Sequence, residues 1–132
     1  MDVGKAIFNI LVNDVQLHAV LEDRIYPNVV DYGATLPAVA YTEATNEPSN
    51  SKTGASTLDV VTVQISVFSL TYAEVVDISS KVRRALDYKV GIFEGVNVQR
   101  IFFQDSSDAH DKSYGETGVY QRNMDFLVRV KN

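Results

Sequence analysis

One polar stretch of the sequence carries the residue types that acid-base and metal chemistry require. Asp108, His110 and Asp111 lie close together within Asp105–Thr117, and Tyr114 follows them. Carboxylates and imidazoles bind metal ions and transfer protons, so a small metal-dependent hydrolase is one hypothesis for this stretch. The surrounding Ser, Gly and Lys residues are typical of a loop, and a loop holds ligands poorly. We therefore favour a polar hairpin tip over a catalytic site.

The rest of the sequence offers no stronger chemical motif. Neither the phosphate-binding pattern G-x-x-x-x-G-K-[ST] nor the dinucleotide-binding pattern G-x-G-x-x-G occurs. The chain contains no cysteine and two histidines, which excludes disulfides, thiolate metal sites and a Cys-His pair. We predict no catalytic residue, no cofactor and no metal.

Length and charge limit the remaining classes. The 132 residues suit a single domain spanning residues 1–132. A formal net charge of −5 gives no general reason to bind nucleic acid or anionic lipid. The apolar runs are too short for a membrane span, and the first residues lack a signal-peptide pattern.

Four segments have the composition and alternation of β-strands. The clearest alternation places Val61, Val63 and Ile65 on one face, with Thr62 and Gln64 on the other. The four predicted strands are Pro37–Thr45, Leu58–Ser69, Val96–Asp105 and Thr117–Lys131. Between them, Asn46–Thr57 and Asp105–Thr117 are rich in polar and turn residues and are predicted to be mobile loops.

Helical periodicity appears at the N-terminus and in the middle of the chain. Asp14 is positioned to cap a short second helix. Thr71 and Glu74 form a T-x-x-E capping box before the longest helical pattern. The buried stripe of that helix is predicted to be Val75, Ile78, Val82, Ala85 and Leu86.

The order of these elements predicts an α+β fold. We expect an antiparallel four-stranded sheet made of two long hairpins, with two to three helices on one face, in the order α-β-β-α-β-β. The longest strands exceed the length of the main helix, so part of a hairpin should project past the core. Bends or bulges that fold the strands back over the helices are the alternative.

The opposite sheet face is predicted to be uncharged and polar. Its members are neutral hydroxyl and amide side chains, which are cheaper to desolvate against another subunit than charged ones. They are Thr62, Gln64, Ser66, Gln121 and Asn123. This face is either an interface or an ordinary solvated surface. The combination of long hairpins, polar loops and no chemical site favours an assembly subunit over an enzyme.

Several short motifs, in this order, resemble the tail completion, or tail-to-head joining, proteins of long-tailed bacteriophages. Those proteins begin with a helix, a D-x-x-L step and an R-I-Y-P segment, which here correspond to Asp14, Leu17 and Arg24–Pro27. LPAVAY (36–41) is similar to their first strand. VTVQISVFSLTYAEVVDISSKVRRALD and the closing GVYQRNMDFLVRV are similar to their strand-helix unit and last strand. The resemblance covers nearly the whole chain.

The resemblance implies a structural virion protein with no catalytic residue. Family members form a ring, usually hexameric, that caps the head-proximal end of the tail tube and contacts the head-completion or connector protein, while DNA passes through the channel. The location would be the tail or neck of a virion assembled in the host cytoplasm. A head-side connector or stopper, or a bacterial adaptor domain, are alternatives. Interface residues expected in the loops are Asn46, Asn50, Lys52, Asp108, His110, Asp111 and Tyr114.

Overall fold

A computed structural model describes residues 3–30, 35–51, 54–111 and 118–131, with the backbone alone at 45–51 and 54–58. The elements run in the order α1 (Val3–Val12), α2 (Val15–Leu21), β1 (Ile25–Pro27), β2 (Ala38–Ser51), β3 (Gly54–Ser69), α3 (Tyr72–Leu86), β4 (Gly91–Phe93), β5 (Val96–Asp111) and β6 (Val119–Lys131). In the described part of the chain, no helix has both the length and the apolar character that crossing a membrane requires.

The sheet has six strands in the order β1-β2-β3-β6-β5-β4. β1 is parallel to β2, and every other neighbouring pair is antiparallel, so the sheet is mixed. The predicted antiparallel four-stranded sheet with the order α-β-β-α-β-β is therefore wrong. β1 and β4 have three residues each, too few to show periodicity, and both form because a neighbouring strand supplies their hydrogen bonds.

Both segments predicted to be mobile loops are largely strand. β2 and β3 extend to Ser51 and from Gly54, which places most of Asn46–Thr57 in a hairpin. β5 continues to Asp111, so the first half of Asp105–Thr117 is also strand. Polar residues of weak strand propensity adopt this structure because their backbone groups pair across each hairpin, which local composition does not reveal.

One core lies between the sheet and the helices. Along β3 the side chains of Val61, Val63, Ile65 and Val67 are fully buried, and they pack with Phe126 of β6. The buried faces of α1, α2 and α3 join the same cluster, so all three helices cover one face of the sheet. We call the opposite surface the helix-free face. The predicted buried stripe of α3 is confirmed.

The N-terminus of α3 is fixed by a relay around Ser69. Thr71 Oγ1 accepts a hydrogen bond from the Glu74 N–H at 3.3 Å, as the capping box predicts. The return bond runs through Ser69, whose hydroxyl accepts from the Thr71 N–H and donates to the Glu74 carboxylate. Ser69 is fully buried, so these hydrogen bonds give its hydroxyl the partners that a buried polar group needs.

Asp14 joins the two N-terminal helices to α3. Its carboxylate accepts from the Leu17 N–H at 3.1 Å, which confirms the predicted cap of α2. The same carboxylate accepts two hydrogen bonds from Arg84 of α3, at 2.9 and 3.0 Å. One side chain thus caps a helix and holds it against the helix that crosses the sheet.

Candidate interaction surfaces

The cluster of acidic and histidine residues near position 110 does not form a single site. Side chains of a strand alternate between faces, and β5 carries Asp108 and His110 on the helix side with Asp111 on the helix-free side. The predicted loop placement of all three is therefore wrong. Within residues 3–30, 35–51, 54–111 and 118–131, no group of three or more His, Asp or Glu side chains is arranged to hold a metal ion.

Asp108 is occupied by an arginine. Arg122, directly across the β5–β6 hairpin, donates from Nε to Asp108 Oδ1 at 2.8 Å and from Nη2 to Oδ2 at 3.2 Å. The Tyr72 hydroxyl adds a hydrogen bond to the same carboxylate at 3.3 Å. These hydrogen bonds, that from Arg122 above all, hold the pKa of Asp108 below its ordinary value, and the carboxylate raises the pKa of Arg122.

Aromatic contacts extend this cluster between the hairpin and α3. The ring of His110 lies 4.3 Å from the ring of Tyr120, directly across the hairpin. Tyr120 in turn contacts Tyr72, the first residue of α3, with ring centroids 6.0 Å apart. Asp108 directly, and His110 through Tyr120, therefore link the β5–β6 hairpin to α3.

The helix-free face brings together the neutral polar residues predicted from the sequence. Ser66 and Gln121 both donate to Asn123 Oδ1, each at 2.7 Å. Gln64 donates to Asp125 at 3.3 Å, one step further along β3 and β6. Thr62 follows in the same row on β3. The five residues thus form a polar strip across the two central strands, in which Ser66, Gln121 and Asn123 share hydrogen bonds and Gln64 bonds Asp125. The role of this strip as an interface stays a prediction.

Charged pairs on the same face were missed by sequence reasoning. Arg100 lies directly across from Arg129, and both guanidinium groups lie over the Phe102 ring, at 4.6 and 5.6 Å from its centroid. Further along, Asp105 lies directly across from Asp125. Two shifts in the pairing of β5 with β6 create this alignment. The first coincides with a change of phase in the apolar alternation, from Val96 and Val98 to Ile101 and Phe103, whereas the second falls among polar residues.

The remaining predicted interface residues are less defined. Asn46 and Asn50 are in β2, where the backbone is described. Lys52 and Tyr114 lie outside the described residues.

Comparison with known proteins places this fold in a family. The family described as "Tail completion protein gp17" matches residues 5–131. No curated protein matches the chain significantly. Among solved structures, 28 chains match, including one titled "Virion of native gene transfer agent (GTA) particle", with a TM-score of 0.79 and 19% identity over 96% of this chain and 92% of the other. At that identity the likeness concerns the fold. The family match covers nearly the whole chain, and the protein belongs to the tail completion protein gp17 family, a family of structural proteins of phage tails.

Proposed function

We propose that this protein forms a ring that caps the head-proximal end of the phage tail tube and joins the tail to the head. The observation that carries the proposal is the family match over residues 5–131. The ring, its six-fold symmetry and its two partners, the tail tube protein and the head-completion or connector protein, belong to the proposal.

The extent of the helical cover supports an assembly role. Every residue from Gln104 to Asp111 at the end of β5 is exposed, although β5 pairs with β6 along this length. Because β6 also pairs with β3 along this length, this stretch of β5 is an edge strand of the sheet, and an exposed edge is a template for pairing with another chain. Asp108 contacts Tyr72 of α3, and His110 contacts Tyr120 of β6, so one side of this stretch has partners within the subunit. A neighbouring subunit would cover the rest.

A ring with two unlike faces explains how growth of the tube ends. A head-to-tail contact between identical subunits closes into a ring when its rotation divides a full turn. One face of that ring matches the last ring of the tube, and the other face does not resemble a tube subunit. The net charge of −5 is compatible with a channel through which DNA slides without binding.

The interface residues follow from this arrangement and remain predictions. The polar strip of Thr62, Gln64, Ser66, Gln121 and Asn123 offers uncharged groups for contact. Asp108, His110 and Asp111 lie in β5, and Asn46 and Asn50 lie in β2. Tyr114 and Lys52 lie outside the described residues and enter the proposal from the sequence alone. The β2–β3 and β5–β6 hairpins would each lie against a neighbouring subunit or a ring of the adjoining assembly.

Deletion of the gene and complementation test the function. Particles that lack the protein should yield tails of uncontrolled length that do not join heads, and the added purified protein should restore joining. Incubating the protein separately with isolated tail tubes and with DNA-filled heads distinguishes the alternatives. Binding to tube ends supports a tail cap, whereas binding to heads alone overturns it in favour of a head-side connector or stopper.

A further inference from the structure

Across the part of the chain that the structure describes, two stretches of sheet edge lack a partner strand, and they lie on opposite edges of the sheet. β1 covers β2 only at Val39–Tyr41, so the Thr42–Ser51 edge has no partner strand within the described residues. β4 covers β5 only at Val96–Val98. Unpaired backbone groups along an edge are a template for a further strand.

The edge of β5 is occupied a little beyond β4 and then opens. The Ile101 carbonyl accepts a hydrogen bond from the Tyr88 N–H, and the Phe103 N–H donates to the Asp87 carboxylate. Ile101 and Phe103 therefore direct their backbone groups outward, that is, away from β6 and toward the sheet edge. Both face the helix side. After the pairing shift beyond Phe103, the helix-side residues are Ser106 and Asp108, so these direct their backbone groups outward next.

The same reasoning locates the outward groups of β2. The Val39 N–H donates to the Arg24 carbonyl, so helix-side residues of β2 point toward the edge. Beyond the pairing shift after Glu43, the corresponding residues are Asn46 and Pro48. Pro48 lacks an N–H, and in this place it removes no hydrogen bond from the β2–β3 ladder.

We propose that these two edges pair between neighbouring copies of the chain, so that the ring wall is one continuous sheet. This inference rests on the proposed ring. β2–β3, β3–β6 and β6–β5 are each antiparallel, so β2 and β5 run in opposite directions. A copy placed alongside in the same orientation therefore brings its β2 antiparallel to β5. Asn46 of one copy exchanges backbone hydrogen bonds with Asp108 of the next.

The offset between the two edges matches the geometry of a closed barrel. Asn46 lies across from Val61, whereas Asp108 lies across from Arg122 and, through it, from Val67. The two levels therefore differ by six residues along β3, from position 61 to position 67, which is about 20 Å. Each copy contributes the four long strands β2, β3, β6 and β5 to the wall, so equivalent strands of neighbouring copies are four strand spacings, or about 19 Å, apart. These lengths give a strand tilt of about 45°, close to the tilt of natural barrels.

The direction of the offset is also the required one. β3 and β5 are parallel and joined through α3 and the three-residue β4, and crossover connections between parallel strands are right-handed in about 98% of cases. With a right-handed connection, β5 lies to the right of β3 when the sheet is viewed from the helix side with β3 pointing up. The copy that pairs with β5 is then shifted upward relative to the first copy, toward the C-terminal end of β3. This is the sense in which strands of a right-twisted closed sheet tilt. The helices then lie outside, and the helix-free face lines the channel.

Cysteine cross-linking tests the pairing, because the chain has no cysteine of its own. The proposed register places position 47 of one copy directly across from position 107 of the next, in a non-hydrogen-bonded pair of short Cα separation that suits a disulfide. The variant Glu47→Cys with Ser107→Cys should give a ladder of linked copies on oxidation of assembled particles. The control Glu47→Cys with Asn97→Cys uses the part of β5 that β4 covers and should remain unlinked.

A proline variant gives an independent measurement. Asn46→Pro removes an outward N–H and leaves the β2–β3 ladder intact, so the free chain should keep its circular dichroism spectrum and lose ring formation. A ring that forms without the cysteine ladder, and also with Asn46→Pro, overturns edge pairing while the proposed function stands. Particles with no ring of this protein at the tail end overturn both.

Discussion

At the scale of single residues, the acidic cluster shows how a strand separates side chains that are close in sequence. Asp108 and Asp111 are three positions apart and face opposite sides of β5. The sequence shows which residue types are present, but it does not show that Asp108 pairs with Arg122 and His110 with Tyr120 across the hairpin. Composition could not reveal these pairs, because the choice between loop and strand depended on that distant pairing.

The Asp108–Arg122 pair should stabilise the fold modestly at neutral pH. Asp108 keeps 42% of its side-chain surface exposed, so solvent screening limits the coupling energy of Asp108→Asn and Arg122→Gln to roughly 0.5–1 kcal/mol in a double-mutant cycle. The pKa of Asp108 is lowered in the folded state, so the contribution is present above the unfolded pKa of about 3.9 and is lost as pH falls through the lower folded value.

Urea unfolding at pH 7 and at about pH 3 measures this coupling. The Asp77–Lys81 pair on α3 is a suitable control, since it is a helix-surface pair whose coupling should be about 0.3–0.5 kcal/mol. A coupling between Asp108 and Arg122 that stayed constant down to the acid limit, or grew there, would show that the ion pair does not carry the interaction.

At the scale of elements, the sequence predicted the helices and strands that have a long hydrophobic periodicity, and it did not predict those that are short or polar. The alternation of β3 predicted its buried face, and the stripe of α3 predicted its contacts, because each signal repeats over several turns or pleats. β1 and β4 had no such repeat. The extension of β5 through Asp111 required knowledge of β6, and so did the position of Arg100 directly across from Arg129.

The cap of α3 should be a measurable source of its stability. Thr71→Ala removes the acceptor for the Glu74 N–H and should lower the free energy of unfolding by about 1 kcal/mol. Thr71→Ser keeps the hydroxyl and should lower it by much less. Chemical denaturation of both variants makes the comparison, and equal losses would mean that the methyl group, rather than the hydrogen bond, accounts for the effect.

At the scale of the whole molecule, helices and short strands cover the sheet on one face and along only part of each edge. Helices cover one face of the sheet, β1 and β4 cover one end of each outer long strand, and the uncovered edges lie at opposite ends. β1 and β4 would block edge pairing with a neighbouring copy that was not shifted along the strand direction, because each covers part of the edge that this pairing would use. In the proposed barrel they leave the staggered pairing open, so β1 and β4 would restrict neighbouring copies to that register.

Hydrogen exchange on the assembled particle tests this reading for the whole chain. The outward N–H groups of Asn46, Ser106 and Asp108 face no partner strand within the described residues. They should exchange at least about tenfold more slowly after assembly, a change of about 1.4 kcal/mol in opening free energy. Val39, already bonded to Arg24, should change little. Protection that appeared on α3 and the other helices instead would place the subunit contact on the helical side, and the helix-free face could not then line a channel built from one continuous sheet.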